Sequence, residues 1–249
     1  GHDAYTPYTY SLTAVGFPAQ APSTQYSAFA ITPGFGISGS ATGTMITAGI
    51  LSGVISGAGT GGNSIVKNGN GVLMLGNQNT YTGSTRVDAG NLIVTSIGTG
   101  TSSSLGASGA LIYNGTGAAD LNALNYVGQG ETANRDLTLQ GGSFTANRVY
   151  RMDSSGTGAL VWNTGTFTHT TRGDSVARVL TLELRGSNTD NNQMNLVLAN
   201  STNATFANVL HVTKTDGGVW ILNPATPNTF TGNINAVAGL LGLTSNGIG

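Results

Sequence analysis

Along this chain apolar residues come in short runs, and each run ends at glycine, asparagine, serine or threonine. The segment 65–94, IVKNGNGVLMLGNQNTYTGSTRVDAGNLIV, shows the pattern most clearly: Val72, Leu73, Met74 and Leu75, then Val87, then Leu92, Ile93 and Val94. Runs this short between turn-forming residues predict brief β-strands joined by tight corners. The same order returns at 212–243 as VTKTDGGVWILNPATPNTFTGNINAVAGLLGL. Lys67 aligns with Lys214, Gly71 with Gly218, and Leu73 and Leu75 with Trp220 and Leu222. A two-residue insertion carrying Pro224 and Pro227 follows, which predicts a widened corner. Beyond it Asn79, Tyr81 and Gly83 align with Asn228, Phe230 and Gly232, and Gly90 aligns with Gly239. A unit that recurs within one chain predicts a fold built by stacking.

Between the two copies the pattern predicts strands over 137–139, 148–152, 159–162, 166–170 and 179–184. In 178–185, RVLTLELR, strict alternation puts Leu180, Leu182 and Leu184 on a core face with Arg178, and Val179, Thr181, Glu183 and Arg185 on the other. The stretch 119–126 also admits a short amphipathic helical turn. The expected organisation is an N-terminal arm over 1–44 and a stacked body over 45–249. That body divides into a repeat module (45–113), charged middle rungs (114–190) and a second repeat module (191–249).

Lys-x-Gly-x-Gly-x-Leu-x-Leu, then Asn-Thr-Tyr-Thr-Gly, then Ala-Gly-x-Leu, as they stand in the first copy, resemble the autotransporter-associated β-strand repeat of bacterial surface proteins. The second copy departs at Trp220, at Phe230 and at the proline insertion. Looser likeness extends to 49–59, 104–115 and 134–144. The resemblance implies an all-β chain folded as a parallel β-helix, or β-solenoid, with short strands and Gly/Asn-rich corners. It also implies an extracellular or bacterial cell-surface location.

Composition agrees with corners and narrow layers. The chain has 249 residues, 39 of them glycine, and only 8% are charged. Glycine and asparagine tolerate the positive φ that tight corners need. A hydrophobic content of 39% is too high for a disordered chain. The formal net charge of −1 gives no electrostatic basis for nucleic-acid binding. No run of apolar residues is long enough for a membrane-spanning helix, so membrane insertion is not expected. Without cysteine, stacked hydrogen bonds and the apolar column must supply stability. The start at Gly1, with no basic-then-apolar leader, fits a secreted chain whose signal peptide has been removed.

Candidate chemistry is sparse. His2, His169 and His211 are the only histidines, and the carboxylates nearest to forming a cluster are Asp153, Asp174 and Glu183. Arginines flank each of them, so ion pairs are expected and no catalytic residue, cofactor or metal site is assigned. A polysaccharide lyase or hydrolase on a β-helix stays as a minor alternative, because such cleavage needs paired carboxylates. Arg172-Gly173-Asp174 is a possible adhesion loop, with a turn between strands as the ordinary reading.

No charged side chain occurs between Asp3 and Lys67, and the arm carries Tyr5, Tyr8, Tyr10, Phe17, Tyr26, Phe29 and Phe35. Such a segment must be covered, by its own body or by a neighbour. The leading expectation is a non-enzymatic structural subunit that stacks head-to-tail on copies of itself, the arm clamping the joint, to form a surface filament. The alternative is an autotransporter-like passenger acting as an adhesin or glycan-binding module, its charged middle facing surface glycans or host receptors. In that alternative, changing Arg148, Arg151 or Asp174 would remove binding.

Overall fold

The computed structural model describes residues 8–10, 48–51, 53–57, 63–114, 122–140, 147–170, 178–202 and 207–248. Its strands in chain order are β1 Tyr8–Tyr10, β2 Ala48–Leu51, β3 Asn63–Lys67, β4 Val72–Leu75, β5 Ser84–Val87, β6 Asn91–Val94 and β7 Leu111–Tyr113. Then follow β8 Asn122–Tyr126, β9 Gln129–Asn134, β10 Leu137–Gln140, β11 Arg148–Ser154, β12 Gly158–Thr164 and β13 Phe167–Thr170. The last are β14 Val179–Arg185, β15 Asn192–Met194, β16 Val209–Lys214, β17 Val219–Leu222, β18 Ile234–Ala236 and β19 Leu240–Leu243. No helix occurs among the described residues.

Among the described residues every strand pairing is parallel, and the strands form three sheets. A continuous nine-stranded sheet runs in the order β1-β2-β4-β6-β8-β11-β14-β16-β18. A five-stranded sheet, β13-β10-β7-β5-β3, lies beside its amino-terminal half, and another, β19-β17-β15-β12-β9, beside its carboxyl-terminal half. The chain therefore winds from one sheet to the next, each strand landing on the one laid down a turn earlier. This is the parallel β-solenoid that the short runs and corners predict.

Stacking aligns inward side chains into columns. On the continuous sheet Leu73, Leu92, Leu124, Met152, Leu184 and Lys214 lie in one register. Beside it run Asn122, Tyr150, Leu182, Val212 and Ile234. On the amino-half sheet Lys67, Val87, Tyr113, Leu139 and His169 align. Small and large residues complement each other across turns. Ala133 faces Trp162, whose indole Nε1 donates to Arg135 O at 2.6 Å. Each fully buried leucine in such a column contributes roughly 1.5–3 kcal/mol. Tyr113 and Tyr150 add a stacked ring pair with centroids 5.3 Å apart.

The five middle strands read from sequence all form, and β14 shows the alternation expected, with Leu180, Leu182 and Leu184 inward. The helical option for 119–126 is corrected: its described part, Asn122–Tyr126, is the strand β8 between β6 and β11. Neighbouring strands on both sides offer in-register hydrogen bonds and columns for Leu124 and Tyr126, which an isolated turn of helix could not match. β9 and β15, rich in polar residues, are strands that the apolar-run reading did not find. Of the arm, β1 lies on the edge of the continuous sheet, with Tyr8 opposite Gly49 and Tyr10 opposite Leu51. Tyr5, Phe17, Tyr26, Phe29 and Phe35 fall outside the described residues.

Candidate functional site

The repeat residues build a clamp at a corner. Lys67 ends β3, residues 68–71 turn the corner, and β4 follows. The Lys67 side chain is buried, and its Nζ donates to Asn68 O at 3.1 Å, Gly69 O at 2.6 Å and Ala89 O at 2.9 Å. An ammonium has three N–H donors, and here three backbone carbonyls take them. Two belong to its own corner and one to the next turn. Burial pulls the Lys67 pKa down to about 8. Gly90 closes the clamp from above with φ +73°, and a Cβ there would overlap the carbonyl oxygens of Gly69 and Gly71 and sit 2.7 Å from Nζ.

The second copy repeats this bond for bond. Lys214 Nζ donates to Thr215 O, to Asp216 O at 2.8 Å and to Ala238 O at 3.3 Å. Gly239, at φ +70°, sits under the same three groups, with Lys214 Nζ 2.8 Å from a built Cβ. Burial lowers the Lys214 pKa, opposed by Asp216 and Asp153. Gly69 in the first copy has φ +74° and its place is taken by Asp216 at φ 62°, the one described non-glycine residue with positive φ. The corner itself differs. The first clamp turns from the amino-half sheet to the continuous sheet, whereas the second turns from the continuous sheet to the carboxyl-half sheet. The motif is thus a local unit of corner and strands, free to sit on different edges of the solenoid.

Asn79 and Asn228 bracket three successive turns. Asn79 Oδ1 accepts from Ile55 N at 2.8 Å, and its Nδ2 donates to Ser104 O at 2.8 Å. Asn228 Oδ1 accepts from Leu198 N at 2.7 Å, and its Nδ2 donates to Gly247 O at 3.0 Å. Across the insertion Ala225, Thr226 and Pro227 lie exposed, and the chain returns to place Asn228 in the same role. Tyr81 bonds the Thr85 hydroxyl at 2.6 Å inside the core. In the second copy both partners change together, to Phe230 and Ile234, so no hydroxyl is left alone. Trp220, inward at the place of Leu73, satisfies its indole N–H on Arg185 O at 2.8 Å. Gly83 and Gly232 follow these aromatics, and a Cβ on Gly232 would overlap Leu210 O and His211.

Arg135 belongs to the charged middle of the chain, yet its side chain is turned into the core. It is 1% exposed and holds the loop 97–109 through Ile97 O, Gly98 O, Ser103 Oγ, Gly106 O, Ser108 O and Gly109 O at 2.5–3.2 Å. Beside it Glu131 accepts from Ile97 N at 2.5 Å and Gly98 N at 3.3 Å, and burial raises its pKa. Asn192, fully buried, accepts from Leu160 N and Ser154 Oγ, both at 2.8 Å, and donates to Val219 O at 2.8 Å. The available signal was parity. Arg135 falls between the inward positions 133 and 137.

The outward charges form ladders. Arg151 Nε pairs with Glu183 at 2.9 Å, and Glu183 also accepts from Thr215 Oγ1 at 2.8 Å. Two residues along, Asp153 lies in register with Arg185, which pairs with Asp216 at 3.2 Å. Arg148, expected on this working face, is instead turned inward with Tyr150 and Met152 and is buried. His169 is inward on β13, where burial lowers its pKa to about 4, while Asp153 is on the outside of the continuous sheet. The two do not meet. His211 is outward on β16, and Arg172, Gly173 and Asp174 lie outside the described residues. Among the described residues no group of carboxylates and histidines could hold a metal ion.

The passenger-associated transport repeat matches the chain twice, at residues 65–94 and 212–241. The chain is also 36% identical over 171 residues, 66% of its length, to the adhesin BmaC autotransporter of Brucella suis biovar 1 (strain 1330). That stretch is 4% of the Brucella protein, so the chain spans a small part of it. No solved structure matches the chain. The matched residues are those that form the two corner clamps, and the chain is a parallel β-solenoid carrying two passenger-associated transport repeats.

Proposed function

We propose that the chain is a non-enzymatic segment of an autotransporter-type adhesin, displayed outside the bacterial cell. The observation that carries this reading is the joint likeness, in the repeats and over 171 residues, to a protein named as an adhesin autotransporter. The solenoid is suited to the task. Its interior is tied by clamps that leave the outer faces free to vary, and the Arg151–Glu183 and Arg185–Asp216 ladder offers a patterned polar face. The partners proposed are surface glycans or host receptors. Beads coated with the chain should adhere to host cells or a glycan array above beads coated with an unrelated solenoid. R151A/R185A should weaken that adhesion without lowering Tm by more than a degree or two. Equal adhesion by both bead types overturns the reading.

A further inference from the structure

We propose that the corner held by Lys67 is a site of spontaneous succinimide chemistry, at Asn68 in preference to Asn70 and Asn246. The sequence offers Asn68-Gly69, Asn70-Gly71 and Asn246-Gly247 among the described residues. Motif alone ranks them equally. The structure does not.

In this reaction the Gly69 backbone nitrogen gives its proton to water and bonds to Asn68 Cγ. The Cγ–Nδ2 bond breaks, the leaving nitrogen takes a proton from water and departs as ammonia, and a five-membered succinimide remains. Water then opens either ring carbonyl to give aspartate or isoaspartate. No oxidant or reductant is involved. The step is limited by the weak acidity of the amide N–H and by room for the ring. Both are met at Gly69. Its amide carbonyl, Asn68 O, accepts a hydrogen bond from the Lys67 ammonium at 3.1 Å, which draws charge from the amide and acidifies its N–H. Asn68 and Gly69 are both exposed, and a Cβ built on Gly69 would meet nothing within 4 Å.

The other two pairs lack one condition or both. Lys67 bonds the carbonyls of residues 68, 69 and 89 but not that of Asn70. Gly71 is also tied from above, because Asn91 N donates to Gly71 O at 3.2 Å. Asn246 has its Nδ2 engaged by Ala225 O at 3.0 Å and Pro224 O at 3.4 Å, and Gly247 is buried. Conversion of Asn68 would place a carboxylate next to a lysine whose described partners are all carbonyls.

The test incubates the folded chain in neutral buffer at 37 °C and follows each Asn-Gly pair by residue-resolved mass spectrometry of proteolytic peptides. Deamidation and isoaspartate should appear at Asn68 several-fold faster than at Asn70, with Asn246 slowest. In urea the rates at Asn68 and Asn70 should converge. K67M, confirmed as folded by circular dichroism, should bring Asn68 down to the Asn70 rate. Equal rates in the folded chain, or a preference for Asn68 that survives in urea, overturn the proposal. So does a folded K67M that keeps the preference. If K67M does not fold, the comparison between folded and urea-treated native chain decides alone.

Discussion

At the scale of single residues, this core tolerates polar groups such as Lys67, Arg135 and Asn192 because carbonyls and amides of the neighbouring turns answer them. Lys67 is the sharpest case, since burial holds its pKa near 8 against 10.5 in the unfolded chain. Between those values the unfolded chain binds more protons than the folded one, so stability rises with pH across the window. The gain is at most about 3–4 kcal/mol, and the carbonyls that favour the ammonium trim it. Tyr81, pushed up to about 12 by burial, works the other way above pH 10. Urea titrations between pH 8 and 10 should therefore show a rising stability that K67M lacks. A parallel slope in both proteins would deny Lys67 its role. The Tyr81–Thr85 hydroxyl pair allows a second comparison. Y81F should cost about 1–3 kcal/mol by leaving a buried hydroxyl unanswered. Y81F/T85I, which copies Phe230 and Ile234, should recover most of that loss at an unchanged m value. Additive losses in the double variant would mean the pairs are not equivalent.

At the scale of elements, the corner and its two flanking strands are the unit that sequence made legible. Lys67, Gly71, Asn79 and Gly90 recur as Lys214, Gly218, Asn228 and Gly239, and the structure gives each pair the same bonds. Strands such as β14 were legible too, because inward and outward residues differ in polarity. Polar strands were not. β9 carries Glu131 and β15 carries Asn192, both of which act through hydrogen bonds that no apolar run reveals. Nor could the sequence show that the two clamps turn different corners, because that depends on which sheet lies beneath. The clamp geometry separates two glycines that look alike in sequence. G90A would drive its methyl into two carbonyls and an ammonium, and should unfold or severely loosen the first module. G69D, which places in open space the residue found at Asp216, should cost only about 1 kcal/mol. Thermal melts of the two variants check this ordering, and comparable losses would discard it.

At the scale of the whole molecule, a stack of parallel turns behaves as a nearly one-dimensional assembly, in which each turn answers mainly to its neighbours. The register states what may be removed. Arg148 lies opposite Leu180 and Met152 opposite Leu184, so excising 148–179 joins Asn147 to Leu180 and slides β14 into the lane of β11. Leu182 would then face Asn122, and Leu184 would face Leu124. On the carboxyl-half sheet, loss of β12 would bring Met194 opposite Ala133, a place where a flexible side chain can fill the space left by Trp162. The Arg151–Glu183 pair would vanish while Arg185–Asp216 remained. The shortened chain should fold cooperatively, with a smaller m value in urea because less surface is exposed on unfolding. Removing one residue more, 148–180, reverses the parity of β14 and turns its leucines to solvent, and that chain should not fold. Circular dichroism and urea titration of the two excisions decide the matter. If both fold, or neither does, register between turns is not what holds the stack.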